Sequence, residues 1–198
     1  MNELLEYIDN KKVLIVGGGP VDKPKEFYDS FDVIVRCNNY KKVNSDRCDI
    51  FYSYFGRNIK KTPEELLKDG VKFCINKVPN KNMTRQLKHC TIDMADYRWI
   101  YELRKDWWFC PMVELPPFEL QWQIAILTGN MPTTGVSAIL FFVSSRICKD
   151  VTIVGFDNFE CGLHNVDEKW DSSGSHRPDL EKEVLIKIKQ RGEIKWLK

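Results

Sequence analysis

What this sequence lacks narrows it first. No apolar run is long enough to span a bilayer. Met1-Asn2-Glu3-Leu4 is acidic and soon polar, which predicts no secretory leader. Net charge is scarce: 30 Lys and Arg against 28 Asp and Glu leave +2. No continuous basic stripe interleaves with aromatics, so nucleic acid is not an expected partner. The stretch from Lys182 to Lys198 leans basic in the manner of a solvated helix face. The seven cysteines, at 37, 48, 74, 90, 110, 148 and 161, are odd in number and include no C-x-x-C pair. Reduced, mostly buried thiols follow, and with them a cytoplasmic protein associating with a membrane peripherally at most.

Several catalytic signatures are missing too. There is no G-x-x-x-x-G-K-[ST], no H-E-x-x-H, no G-x-S-x-G and no clustered Cys/His. These absences speak against a P-loop ATPase, zinc chemistry and a nucleophile-elbow hydrolase. A dinucleotide fingerprint fails at its third glycine, where Asp22 stands, and no acid closes the second strand to hold a ribose. NAD is therefore disfavoured. No D-x-D pair occurs, although many sugar-nucleotide enzymes hold a metal through one.

What is present is an alternation of strand and helix. The 198 residues, 43% of them hydrophobic, suffice for one domain spanning 1–198. A helix is predicted over Glu3 to Ile8. Lys12-Val13-Leu14-Ile15-Val16 reads as a buried parallel strand and stops at Gly17-Gly18-Gly19-Pro20. Those glycines make either a tight turn or a nucleotide cradle. Further strands are predicted at 31–38, 49–54, 71–75 and 151–154. Helices are predicted at 62–68, 98–104, 118–127, 136–147 and 179–191. Thr62-Pro63-Glu64-Glu65 supplies a cap, a first-turn proline and first-turn acids, and Asp69-Gly70 a stop. Trp107-Trp108-Phe109 is expected to pack in the core or a lid. The fold class is α/β, a Rossmann-like domain whose mostly parallel sheet carries helices on both faces. The polar loop 159–175 is a candidate small lid.

Ligands in such folds bind beyond the carboxyl ends of strands. Arg36 and Asn38 close the second strand, where they either meet a ligand or cap a turn. Thr133-Thr134-Gly135 opens an apolar helix, and a helix N-terminus receives phosphate through free N–H groups and its dipole. His176 precedes Pro178 at the next helix start, well placed as a base near neutral pH. Glu181 is either a first-turn acid that suits the dipole or a member of the site.

In order and spacing, four segments together resemble the sialyl motifs of sialyltransferases, glycosyltransferase families 29 and 42. Val13 through Asn38 looks like the large motif. Pro132-Thr133-Thr134-Gly135 through Val154-Gly155-Phe156-Asp157 is similar to the small motif. His176 and Glu181 match the very small motif's H-x-x-x-x-E, and Arg191 through Leu197 resembles the last strand. The resemblance implies a metal-independent inverting glycosyltransferase with no cofactor, a CMP-sugar donor and a glycan acceptor. It makes His176 the general base, with Glu181 beside it. It places Asn38 on the cytidine monophosphate, Thr133, Thr134, Gly135 and Asp157 on the nucleotide, and Gly17, Gly18 and Gly19 along its other side. The chain departs from the family at Gly18 and Ser53, where asparagines are usual. No tyrosine follows Tyr101 to hold the donor phosphate. A module of this fold that has lost catalysis, or uses another donor, is the alternative.

Overall fold

The computed structural model describes residues 2–41, 45–53, 59–77, 112–114, 132–157, 163–164, 168–169 and 176–197. Elements are numbered among these. The strands β1 (Lys12–Val16), β2 (Val33–Cys37), β3 (Ile50–Ser53), β4 (Phe73–Asn76), β5 (Met112–Glu114), β6 (Asp150–Val154) and β9 (Lys195–Trp196) form one sheet. Its order is β5-β4-β3-β2-β1-β6-β9, and every adjacent pair is parallel. β7 (Leu163–His164) and β8 (Glu168–Lys169) make a separate antiparallel pair within the stretch expected to act as a lid. The helices are α1 (Asn2–Ile8), α2 (Lys25–Asp29), α3 (Pro63–Lys68), α4 (Thr134–Ser145) and α5 (Pro178–Gln190).

Period-two alternation splits the core between the two faces. Val13, Ile15, Val33, Val35, Ile50, Tyr52, Ile75 and Ile153 meet the apolar sides of α1, α4 and α5. Leu14, Val16, Ile34 and Val154 point the other way, onto Tyr28 and Phe27 of α2. Both faces of the central strands are therefore buried, which is why β1 reads as an apolar run after Lys12 and β6 departs from one after Asp150 only at the buried Thr152. The expected Rossmann-like α/β architecture, with helices on both faces of a parallel sheet, is the observed one.

Local chemistry sets the ends of the helices. Thr62 accepts the Glu65 N–H at 3.3 Å while the Glu65 carboxylate accepts the Thr62 N–H at 2.9 Å, a reciprocal capping box on α3. Gly70, at φ +80, ends that helix in the left-handed region. α4 stops at Ser145 rather than at Ile147. Ser144 and Ser145 turn their hydroxyls back onto the Leu140 and Phe142 carbonyls, and Arg146 takes φ +54. The stretches 98–104, 107–109 and 118–127 lie outside the described residues.

Among the described residues no helix is long and apolar enough to cross a membrane. Cys37, Cys48, Cys74 and Cys148 are free thiols, with Cys48 and Cys74 buried as expected.

Candidate functional site

The chain runs outward from β1 to β5 on one side, then returns to place β6 on the other side of β1. This reversal is a topological switch point, where open α/β sheets leave a crevice beyond the strand ends. Parallel strands put the carboxyl ends of β1 and β6 together there, along with the amino ends of α4 and α5, each of which feeds a parallel strand. Gly17, Gly18, Gly19, Asn38 and Asp157 follow strand ends there, and Thr133, Thr134, Gly135 and Glu181 stand at the two helix starts.

The junction of the β1 and β6 ends is largely backbone. Gly17 N–H donates to Val154 O at 2.8 Å and Gly19 N–H to Gly155 O at 2.9 Å, so the loop after β1 extends the ladder onto β6. A Cβ on Gly17 would lie 2.3 Å from the Gly155 carbonyl oxygen. One on Gly19 would meet the Asp157 carboxylate and the Gly155 oxygen, both at 2.9 Å. The close approach that these glycines permit is that of the protein's own chain. Gly18, between them, is half-exposed. At α4 the same holds: a Cβ on Gly135 would sit 2.6 Å from the Phe156 ring.

The α4 entrance carries an internal anion. Glu181 reaches from the first turn of α5 and accepts the Thr133 N–H at 2.8 Å and the Thr133 hydroxyl at 2.6 Å. The same hydroxyl oxygen caps the helix by accepting the Val136 N–H at 3.4 Å. The N–H groups of Thr134 and Gly135 donate to no acceptor among the described residues. Glu181 is 3% exposed; burial raises its pKa, while the Thr133 hydrogen bonds and the Lys77 charge pull it back. His176 is half-buried and lies five residues before Glu181, one residue before the N-cap of α5. The Glu181–Thr133 contact ties the first turn of α5, which His176 precedes in the chain, to the start of α4.

Lys77 was not singled out in the sequence. It directly follows β4, is 8% exposed, and its ammonium donates to the Pro132 carbonyl. Burial lowers its pKa to about 8, against the raising effect of Glu181 and Cys37. The signal available was position alone: a lone lysine at a strand's carboxyl end. A lysine with a lowered folded pKa binds fewer protons folded than unfolded, so stability rises with pH between the two values. Wild-type stability relative to Lys77→Met should therefore climb by about 3 kcal/mol from pH 8 to the ordinary 10.5, read by urea melts across that range. A flat difference would remove the buried ammonium.

Two strand-end residues resolve differently. Asn38 adopts φ +49, donates its N–H to Tyr52 O at 3.2 Å and accepts the Ser53 hydroxyl at 3.0 Å. It stays at the carboxyl end of β2, beside β1. Arg36 is not a ligand residue. It is 1% exposed and donates to the carbonyls of Arg47, Lys41 and Ser45 at 3.0, 3.2 and 3.1 Å. Its guanidinium lies 5.5 Å from the ring centres of both Tyr28 and Tyr40. The sequence could not show that the chain after β2 folds back over Arg36.

A cavity of about 230 Å³ opens at the opposite end of the sheet, lined by Arg146, Cys148, Lys149, Asp150, Glu193 and Lys195 among others. The carboxyl end of α4 faces it, and a helix C-terminus repels phosphate. No protein-family model matches the chain, and no curated protein sequence shows significant similarity to it.

Proposed function

We propose that this chain is a cytoplasmic, metal-independent inverting glycosyltransferase that moves a keto-acid sugar of the sialic-acid type from a CMP-sugar to a glycan hydroxyl. The observation that supports this reading most is the Glu181–Thr133 contact, which ties the first turn of α5, just after His176 in the chain, to the start of α4 at the switch point. In the proposed step His176 takes the acceptor hydroxyl proton. The oxygen then attacks the anomeric carbon from the face opposite the nucleotide. The bond from that carbon to the phosphate oxygen breaks, and CMP leaves with the electron pair. The N–H groups of Thr134 and Gly135 face the charge that develops on the phosphate. Gly17, Gly18, Gly19, Asn38 and Asp157 border the nucleotide.

A second reading has its own support. The Phe156 ring covers Gly135 and Glu181 already occupies the Thr133 amide, as suits a module of this fold without catalysis. Melting with CMP, UDP, GDP and NAD separates the donors. A ligand at a hundredfold its Kd stabilises by about 2.7 kcal/mol, roughly 5–10 °C for a chain of this size. CMP is expected to produce that shift. A larger one with UDP or NAD overturns the donor assignment. Release of CMP from CMP-sialic acid should fall at least about 100-fold in His176→Ala at unchanged melting temperature. Equal turnover in that variant removes His176 from the reaction.

A further inference from the structure

The Pro132 carbonyl and the Thr133 N–H belong to one peptide unit, the one that leads into the N-cap of α4. Lys77, from the end of β4, holds its oxygen, and Glu181, from the first turn of α5, holds its N–H. The partners lie 55 and 48 residues away in sequence, and both side chains are more than nine-tenths buried. In a trans peptide the C=O and N–H point in opposite directions. The cation and the anion therefore flank the same plane, aligned with its dipole, and the peptide bridges them.

We propose that Lys77 and Glu181 are a positioning pair: by gripping one peptide plane from both sides they fix how α4 begins and where His176 stands relative to it. Rotation of that plane would turn the Thr134 and Gly135 N–H groups and release α5's first turn together. Packing alone gives no reason for the charges, because burying a cation and an anion costs more than an apolar pair of similar volume. What the charges supply is orientation, since Lys77 can only donate and a carboxylate only accept. Glu181 adds a second tie through the Thr133 hydroxyl, which holds the cap residue's rotamer as well as its backbone. The kinetic part of the test rests on the glycosyltransferase reading; the structural part does not.

The test compares Lys77→Met, Glu181→Gln, the double variant and Lys77→Arg. Each of the first two strands a buried charge and should lower the melting temperature by about 10 °C. The double variant should melt no lower than the weaker single, which is strong non-additivity. The NMR signal of the His176 ring, assigned by comparison with His176→Asn, should move in both singles. It should return toward its wild-type position in Lys77→Arg, which keeps a cationic donor. With CMP-sialic acid, both singles should lose about 10–100-fold in kcat while KM for the donor stays within about twofold, as expected of a misplaced rather than a missing group. Additive melting losses with an unmoved His176 signal would overturn the pairing. If the wild type releases no CMP, the glycosyltransferase reading fails, and the melting cycle and the His176 signal decide the positioning pair on their own.

Discussion

Gly17→Ala should lower the melting temperature by about 10 °C or more and should do so without any nucleotide present. The added methyl would lie 2.3 Å from the Gly155 oxygen and 2.8 Å from its carbonyl carbon. Both are backbone atoms at the end of a strand with no freedom to rotate away. Relief requires the β1 and β6 loops to separate, which stretches the Gly17–Val154 and Gly19–Gly155 hydrogen bonds together. Overpacking costs about 1–3 kcal/mol and each weakened bond about 1 more, for about 3–5 kcal/mol in all. Gly70→Ala is the control. Its Cβ meets nothing within 4 Å, and only the φ of +80 is strained, at about 1–2 kcal/mol. Differential scanning calorimetry of the two variants distinguishes a glycine kept for packing from one kept for a ligand. A Gly17→Ala protein that melts within about 2 °C of wild type would mean the two loops do not touch as described.

Arg36→Met should cost about 4 kcal/mol in urea unfolding. Methionine fills much of the stem's volume but gives up the guanidinium's place over the Tyr28 and Tyr40 rings, so the loss combines that contact with the three hydrogen bonds. Three carbonyls would lose the guanidinium donor, that of Ser45 in a buried bond and those of Lys41 and Arg47 in part-buried ones. A stranded buried acceptor costs about 1–3 kcal/mol, reduced where the loop can relax toward solvent. Arg36→Lys should recover less than half of the loss, because one ammonium cannot reach three diverging oxygens as a planar fork does. Arg177→Met should leave the melting curve unchanged, since its ion pair with Asp179 is exposed on both sides. Similar behaviour of Arg36→Met and Arg177→Met would refute a structural role for residue 36.

The elements most legible in the sequence were those whose burial is two-sided or whose ends are capped by side chains. β1 and β6 announce themselves because parallel strands under two helical layers admit no polar alternation. α3 is legible from Thr62, Pro63 and Glu65 alone. α2 went unpredicted: it has five residues and Pro24 at its N-cap position with no side-chain cap bond. β5 went unpredicted as well: it has three residues between Pro111 and Pro116-Pro117, too few to show a period. Strand order was not readable, because the return of the chain to the far side of β1 depends on contacts between segments about 140 residues apart, such as Val13 with Val151.

The sequence put its candidate residues at the carboxyl ends of the strands but could not say what each touches there. A glycine permits close approach without naming the visitor, and at Gly17, Gly19 and Gly135 the neighbours are Gly155, Asp157 and Phe156. Glu181 could be read as a dipole acid on its own helix, yet it serves the start of another. Arg36 and Lys77 differ in the sequence only by which strand they end. Their burial comes from the chain that covers them, and no local pattern encodes that.

Phe156 touches three separate segments at once. Its ring presses on Gly135, its edge lies 3.1 Å from where a Cβ of Gly17 would be, and its carbonyl accepts the Trp196 indole N–H at 3.1 Å. Positions 17, 135, 156 and 196 therefore cannot drift independently over evolution. A bulkier residue at 135 is compatible only with a smaller ring at 156, and a shift of the 156 backbone strands the indole. In a set of diverged sequences these four positions should change as a correlated group, whatever molecule occupies the crevice beside them.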